Sequence, residues 1–190
     1  MITNKEDYKE YLSADKLALG RSKAKPSVTD VIWRYEILLR KCEYYNNCHP
    51  KSPLTFYYKF KRHRLGVKCN YTIPLNSCGK GLCIAHVGPI VISNLAHIGD
   101  NCRIHIDVNI GADARDGKLA PKIGNNVYIA PGAKIFGGVT IADNIAIGAN
   151  SVVNKSFEEP GISIGGCLLK RLIPKVYTIL LSMFVFNNII

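Results

Sequence analysis

The chain has 190 residues, 47% of them hydrophobic, and a formal net charge of +11. This is long enough for one domain with a real core. Basic residues predominate before residue 69, where 15 lysines and arginines face 7 acidic side chains. The one dense basic run, 57–68, has no nucleic-acid motif beside it, so we expect no nucleic-acid partner. A phosphorylated cofactor, an anionic membrane surface and a solvated helix face stay open.

Neither a secretory signal nor a disulfide framework is expected. The first twenty residues carry charges throughout and lack the apolar core of a signal peptide, which predicts a cytoplasmic location. The seven cysteines are odd in number and include no C-x-x-C. We therefore expect free thiols in a reducing compartment and no metal site.

The first third of the chain has helical periodicity. Apolar residues between Val28 and Tyr45 recur at the spacing of an amphipathic helix, and Ser27 with Asp30 resembles a capping box at its start. A basic-aromatic helix is predicted over 54–65, stopping at Gly66, and a shorter one over 5–19.

After residue 70 the apolar period becomes six. From Ile98 the chain divides into IGDNCR, IHIDVN and IGADAR, and from Ile123 into IGNNVY, IAPGAK, IFGGVT, IADNIA and IGANSV. Neither a helix nor an ordinary strand has this period. Isoleucine opens all eight units. Their fifth places are small or β-branched: Cys102, Val108, Ala114, Val127, Ala133, Val139, Ile145 and Ser151.

A solenoid with three flat faces satisfies this pattern. Each unit supplies one short parallel strand and one corner, the first and fifth side chains point inward, and Gly, Asn and Asp suit left-handed corners. One coil then has 18 residues. The units at Ile98 and Ile123 are 25 apart, which predicts a polar loop of about seven extra residues within 112–121.

The repeat extends upstream with a slip, and this bears on His86. Ile84 and Ile90 are six apart, as are Ile92 and Ile98, so the phase jumps by two between Ile90 and Ile92. His86 then occupies an outward place beside the slip. This favours a functional histidine over a core histidine.

These features resemble the hexapeptide-repeat acyltransferases, and among them the short serine acetyltransferases. The resemblance rests on the helices, on GKGLCIAHVGPIVI, on IGDNCRIHIDVNIG, and on the repeats from 121 to 153. It implies an all-β left-handed parallel β-helix with an N-terminal α-helical segment. We accordingly divide the chain into helical segment 1–68, β-helix 69–165 and apolar tail 166–190.

The resemblance also implies a function and a set of site residues. It implies a homotrimer that transfers acetyl from acetyl-CoA to L-serine for cysteine biosynthesis, with His86 as catalytic base. The acetyl-CoA positions would be Gly111, Ala130, Gly132, Lys134 and Gly148. The substrate-loop positions would be Asp107, Asp113, Arg115 and Asp116.

Several family groups are replaced here. Ala85 stands where the family has an aspartate beside the histidine, Tyr71 aligns with the aspartate that orients it, and Leu119-Ala120 replace an Arg-His pair. These changes keep two alternatives open: an O-acetyltransferase acting on a sugar of a capsular or surface polysaccharide, and a non-catalytic trimeric scaffold.

Two further features complete the predictions. His97 and His105 could suggest a zinc site, but they are not expected to converge with His86, and no metal is predicted. Residues 164–172 replace a family cofactor loop, with Lys170 and Arg171 as candidate phosphate partners. The apolar segment 176–190 is short for a membrane span, so packing on the body, an interface and peripheral membrane contact stay open.

Overall fold

Three helices open the chain. The computed structural model describes residues 1–115 and 117–166, together with the backbone of strand Lys170–Leu172. The helices are α1 Lys5–Ala18, α2 Val31–Cys48 and α3 Pro53–Cys69. All three lie where the periodicity predicts a helix.

The start of α2 differs from the predicted capping box. Asp30, not Ser27, is the N-cap, because its carboxylate accepts a hydrogen bond from the Trp33 amide at 3.2 Å. The Ser27 hydroxyl instead accepts from the Asp30 amide at 3.2 Å. The serine thus fixes the capping residue one turn before the helix, and α2 begins at Val31.

The predicted stop of α3 at Gly66 is wrong. The helix runs on to Cys69 and is ended by Asn70, whose φ of 60° is left-handed. Gly66 lies inside the helix for a packing reason: a Cβ there would lie 3.1 Å from the Tyr71 carbonyl oxygen. The glycine permits the chain to fold back closely against the helix that it leaves.

Short strands follow and form three flat faces. Their bounds are β1 Tyr71–Thr72, β2 Cys83–Ile84, β3 Ile90–Ile92, β4 His97–Ile98, β5 Arg103–Ile104, β6 Val108–Gly111, β7 Lys122–Ile123, β8 Tyr128–Ile129, β9 Lys134–Phe136, β10 Thr140–Ile141, β11 Ala146–Ile147, β12 Val152–Val153, β13 Ser163–Gly165 and β14 Lys170–Leu172. Face A is β1-β3-β6-β9-β12, face B is β4-β7-β10, and face C is β2-β5-β8-β11-β13 with β14 at its end. Pairing is parallel throughout, except that β14 is antiparallel to β13.

The six-residue period produces the core, as predicted. All eight first-place isoleucines, from Ile98 to Ile147, are no more than 3% exposed. Ile129 pairs with Ile147, 18 residues on, whereas Ile104 pairs with Ile129, 25 residues on. The 18-residue coil and the seven-residue insertion are both confirmed.

One fifth-place prediction is wrong. Ala114 is exposed in the loop that follows β6, so the unit IGADAR does not complete a corner. Ala120, at the end of that loop, packs against the core instead. A repeat that is interrupted by an insertion keeps its inward position only after the insertion ends.

The predicted slip exists, but it lies elsewhere. Ile84 pairs with Ile104 while Ile90 pairs with Val108, so six residues in the first coil match four in the next. The two extra residues therefore lie in the corner 85–89, before Ile90. Ile90 is a fifth-place residue, and β3 buries it together with Ile92.

The helices cover the open edge of face C. Strand β2 has no preceding strand, so its outward amides require other acceptors. The carboxylate of Asp15 accepts from the Leu82 amide at 2.9 Å, and that of Glu36 accepts from the Ile84 amide at 3.0 Å. Buried carboxylates thus act as the missing strand, and they cap the solenoid.

Arg40 joins this cap to the prism. Its guanidinium is fully buried and pairs with Asp15 at 2.7 Å and with Glu43 at 2.9 Å. It also donates to the carbonyl oxygens of Cys78 at 2.9 Å and Gly79 at 2.5 Å. One side chain therefore links α1, α2 and the first coil.

The Glu36 carboxyl should make stability depend on pH. Burial, reinforced by Asp15, raises its pKa well above the ordinary 4.5. A carboxyl whose pKa is raised by folding stabilises the protein fully below its unfolded pKa. The free energy of unfolding then falls as pH rises through the folded pKa, by at most about 1.4 kcal/mol per pH unit.

Glu36→Gln should remove that slope, because an amide retains an acceptor for the Ile84 amide and does not ionise. We expect urea unfolding from pH 5 to 8 to show the variant gaining on the wild type as pH rises. Glu158→Gln, at an exposed carboxyl, is the control. A stability difference between Glu36→Gln and wild type that stays constant over this range would contradict the prediction.

The C-terminal predictions are only partly accessible. Strand β14 lies within the predicted tail 166–190, whereas residues 173–190, with the apolar segment, are outside the described residues. Among the described residues, no helix is long and apolar enough to cross a membrane. The division into three segments stays a prediction.

Candidate active site

His86 lies on an enlarged corner of the prism. The corner 85–89 joins face C to face A and carries the two extra residues, and we call it the His86 corner. The His86 side chain is exposed, so the predicted outward orientation is confirmed. The enlargement lifts the imidazole away from the core, where a reactant can reach it.

Hydrogen bonds fix the backbone on both sides of His86. The Tyr71 hydroxyl donates to the His86 carbonyl oxygen at 2.9 Å, and the Ala85 amide donates to Ile104 O at 3.0 Å. Burial raises the pKa of Tyr71, which keeps the hydroxyl protonated and able to donate. Tyr71, in the place of the family's orienting aspartate, thus holds the backbone that carries the imidazole.

His105 converges with His86, contrary to the prediction. The two ring centroids are 5.6 Å apart, and the His105 ring is 5.1 Å from that of Tyr128. The convergence arises because Ile84 pairs with Ile104, which places the two following corners side by side. A slip assigned to Ile90–Ile92 concealed this neighbour.

Most predicted acetyl-CoA positions line the same edge as His86. Ala130, Gly132 and Gly148 lie in the later corners between faces C and A, and Lys134 opens β9 beside them. Gly132 has a φ of 77°, and a Cβ there would collide with the Asn150 side chain. This edge is therefore lined by small residues with one cation.

Gly111 does not lie on this edge. It ends β6, on the far side of face A, where a Cβ would meet nothing closer than 3.4 Å. The four residues of β6 correspond to about 10–13 Å at the usual rise per residue. Within one chain, Gly111 is therefore separated from His86 by the width of a face.

Lys134 contacts Asp107. Its ammonium donates to the Asp107 carboxylate at 2.9 Å and to the Asp107 carbonyl oxygen at 2.6 Å. Asp107 has a φ of 58° and occupies the corner next to the His86 corner. Two residues predicted for different ligands thus form one ion pair on the candidate site's edge.

The predicted substrate loop is built around Asp113. Its carboxylate accepts from the Arg115 amide at 2.8 Å and pairs with the Arg115 guanidinium at 3.4 Å. The Arg115 side chain is 92% exposed. Asp116 is outside the described residues. The loop lies between faces A and B, so one chain does not bring it to His86.

Two cavities flank the His86 corner. One, of about 460 Å³, is lined by Arg21, Asp30 and Trp33 and reaches Val87. The other, of about 600 Å³, lies beside Tyr71. Each is large enough for a small acceptor, and the first offers polar and aromatic walls.

The described residues hold no group of three or more potential metal ligands. His97 is exposed on β4, in face B, away from the His86 corner. The six cysteines of this part of the chain are free thiols. Cys167 lies outside the described residues, as do the side chains of Lys170 and Arg171.

The sequence matches known proteins over the prism. Residues 120–155 match the family described as bacterial transferase hexapeptide (six repeats). Over 88 residues the chain is 43% identical to the serine acetyltransferase of Staphylococcus xylosus, covering 46% of this chain and 41% of the relative. The chain thus spans about two fifths of the length of the curated relatives it matches.

The structure is similar to solved serine acetyltransferases over a longer range. The enzyme of Neisseria gonorrhoeae, solved with serine, has a TM-score of 0.70 at 23% identity, covering 89% of this chain and 70% of that one. A serine acetyltransferase solved with CoA has a TM-score of 0.71 at 20% identity, covering 88% and 71%. The left-handed β-helix with preceding helices is confirmed. The chain is thus similar to the serine acetyltransferases in sequence over the prism and in fold over most of its length.

Proposed function

We propose that the protein is an acetyl-CoA-dependent O-acetyltransferase whose acceptor is the hydroxyl of L-serine. The observation that carries the proposal is the exposed His86 on an enlarged corner, in a fold that serine acetyltransferases share. Small residues and a lysine along the same edge suit the pantetheine arm and phosphates of acetyl-CoA. Unpaired thiols favour a reducing location, the cytoplasm.

In this mechanism His86 is the general base. Its imidazole accepts the proton of the acceptor hydroxyl while that oxygen attacks the thioester carbonyl carbon. The tetrahedral intermediate collapses with loss of the CoA thiolate, which takes the proton back from His86. The products are an O-acetyl ester and CoA. Tyr71 positions the base through the His86 backbone, as the 2.9 Å hydrogen bond supports.

A homotrimer would complete the site. The loop with Asp113 and Arg115 and the His86 corner lie at opposite edges of face A. If three prisms pack around a common axis, one edge of each prism meets the other edge of its neighbour. The loop of one copy would then cover the acceptor at His86 of the next copy and exclude water.

A sugar acceptor is the second candidate. Ala85, Leu119 and Ala120 replace polar groups of the family, and Leu119 packs over Gly138, where a Cβ would lie 3.1 Å from it. These apolar residues cannot bind the charged ends of serine. Their presence favours a neutral acceptor, such as a sugar of a capsular or surface polysaccharide.

An acceptor panel decides between the two candidates. The full chain is incubated with acetyl-CoA and either L-serine or neutral sugars, and free CoA is followed with a thiol reagent. CoA release that requires L-serine supports the proposal. Release with sugars alone supports the second candidate. No release with any acceptor would leave a non-catalytic scaffold.

Lys134 should contribute to acetyl-CoA binding. A charge-assisted hydrogen bond to a phosphate contributes about 1.5–3 kcal/mol, so Lys134→Met should raise the KM for acetyl-CoA roughly 10-fold or more. The acceptor KM should change little. Lys122→Met removes a lysine from face B and serves as the control. An unchanged KM for acetyl-CoA would show that Lys134 serves only its ion pair with Asp107.

A further inference from the structure

His105 is a buried histidine with no polar contact. Its side chain belongs to a residue only 8% exposed, and neither ring nitrogen has a hydrogen-bond partner among the described residues. A buried polar group left without a partner costs about 1–3 kcal/mol. Such a group is expected to have a partner that arrives from outside the chain.

The position of His105 indicates what that partner is. The ring lies 5.6 Å from that of His86, in the adjacent corner of the same edge. A group bound between the two rings would contact both of them. Under the proposed function, the atoms nearest His86 are the acceptor hydroxyl and the thioester carbonyl.

His105 also has the charge state that this position requires. Burial lowers its pKa to about 4, and the cations at Arg103 and His86 act in the same direction. Near neutral pH the imidazole is therefore uncharged, with one N–H donor and one acceptor nitrogen. A neutral donor can stabilise negative charge without placing a second positive charge beside the base.

We propose that His105 is a second catalytic residue, whose neutral imidazole donates a ring N–H to the thioester oxygen as it becomes an oxyanion. The inference rests on the proposed function. When the acceptor oxygen attacks, the carbonyl π electrons move to this oxygen and the hydroxyl proton moves to His86. His105 gives up no proton; its hydrogen bond strengthens as the charge forms and weakens again when the CoA thiolate leaves.

Three variants test the proposal in the full chain. His105→Leu removes the donor, His105→Gln restores a neutral donor, and His97→Leu removes an exposed histidine from face B as the control. Loss of one oxyanion donor typically lowers kcat about 10²–10³-fold. We expect that loss in His105→Leu with both KM values nearly unchanged, since the bond forms only in the transition state. We expect partial recovery in His105→Gln and wild-type rates in His97→Leu.

Thermal unfolding separates catalysis from structure. Replacing an unpartnered buried imidazole by leucine should leave the Tm equal to that of the wild type or raise it. Below neutral pH the sign is also fixed: wild-type stability should fall as pH drops from 6.5 towards 4, and His105→Leu should lose this dependence.

Several results would overturn the proposal. They are a kcat within about threefold of wild type in His105→Leu, a raised acceptor KM with unchanged kcat, and a lowered Tm with no recovery in His105→Gln. A wild type that transfers acetyl to no acceptor would instead refute the proposed function, and with it this role for His105.

Discussion

His86→Ala is expected to lower the kcat of acetyl transfer about 10²–10⁴-fold, which is the usual contribution of a positioned general base. The KM values should change little, because the imidazole acts on the proton in flight and not on the bound ground state. The exposed position of His86 predicts that the variant folds as the wild type does. Free CoA release with saturating acceptor measures the effect.

The control for His86 is another exposed histidine of the prism. His97→Ala changes the same residue type on face B, away from the His86 corner, and should retain the wild-type kcat. An equal loss in both variants would indicate a general effect on the prism. A His86→Ala enzyme that retains most of its kcat would refute the general-base role.

Arg40→Met is expected to destabilise the protein by about 3–5 kcal/mol, the largest stability effect that the structure predicts. Arg40 is fully buried, and its loss leaves Asp15 and Glu43 as buried carboxylates without their cation. It also leaves the carbonyl oxygens of Cys78 and Gly79 without that donor. Typical domains have only about 5–15 kcal/mol in total, so much of the stability would be lost.

A triple variant distinguishes unpaired charge from lost packing. Arg40→Met combined with Asp15→Asn and Glu43→Gln removes all three charges and keeps the amide oxygens as acceptors. It should recover part of the stability lost in Arg40→Met, measured by urea unfolding. Lys9→Met, at an exposed helix position, should stay within about 0.5 kcal/mol of wild type. A loss below about 1 kcal/mol in Arg40→Met would contradict the account of the cap.

The sequence was sufficient to predict the prism because its core follows a strict repeat. A first-place isoleucine every six residues leaves one geometry that buries all of them, and the loop length follows from the spacing of Ile98 and Ile123. The slip was misplaced because Ile84, Ile90 and Ile92 satisfy two alignments equally well. Only the pairing of Ile90 with Val108 shows that the extra residues precede it.

The candidate site was less predictable, since it depends on contacts between distant segments. His86 was found from its outward place and from the resemblance. The roles of Tyr71 and Glu36 arise from single hydrogen bonds to the corner's backbone, for which the sequence has no pattern. His105 had a signal, the second place after Ile104, but its significance required the correct register.

The destination of the acetyl group tests the central claim most directly. Wild-type protein is incubated with acetyl-CoA and L-serine, and the acceptor is analysed by mass spectrometry as CoA is released. We predict O-acetylserine that appears in step with free CoA and disappears in His86→Ala. Free CoA without an acetylated hydroxyl, or an ester formed equally well by His86→Ala, would contradict a transferase that uses His86 as its base.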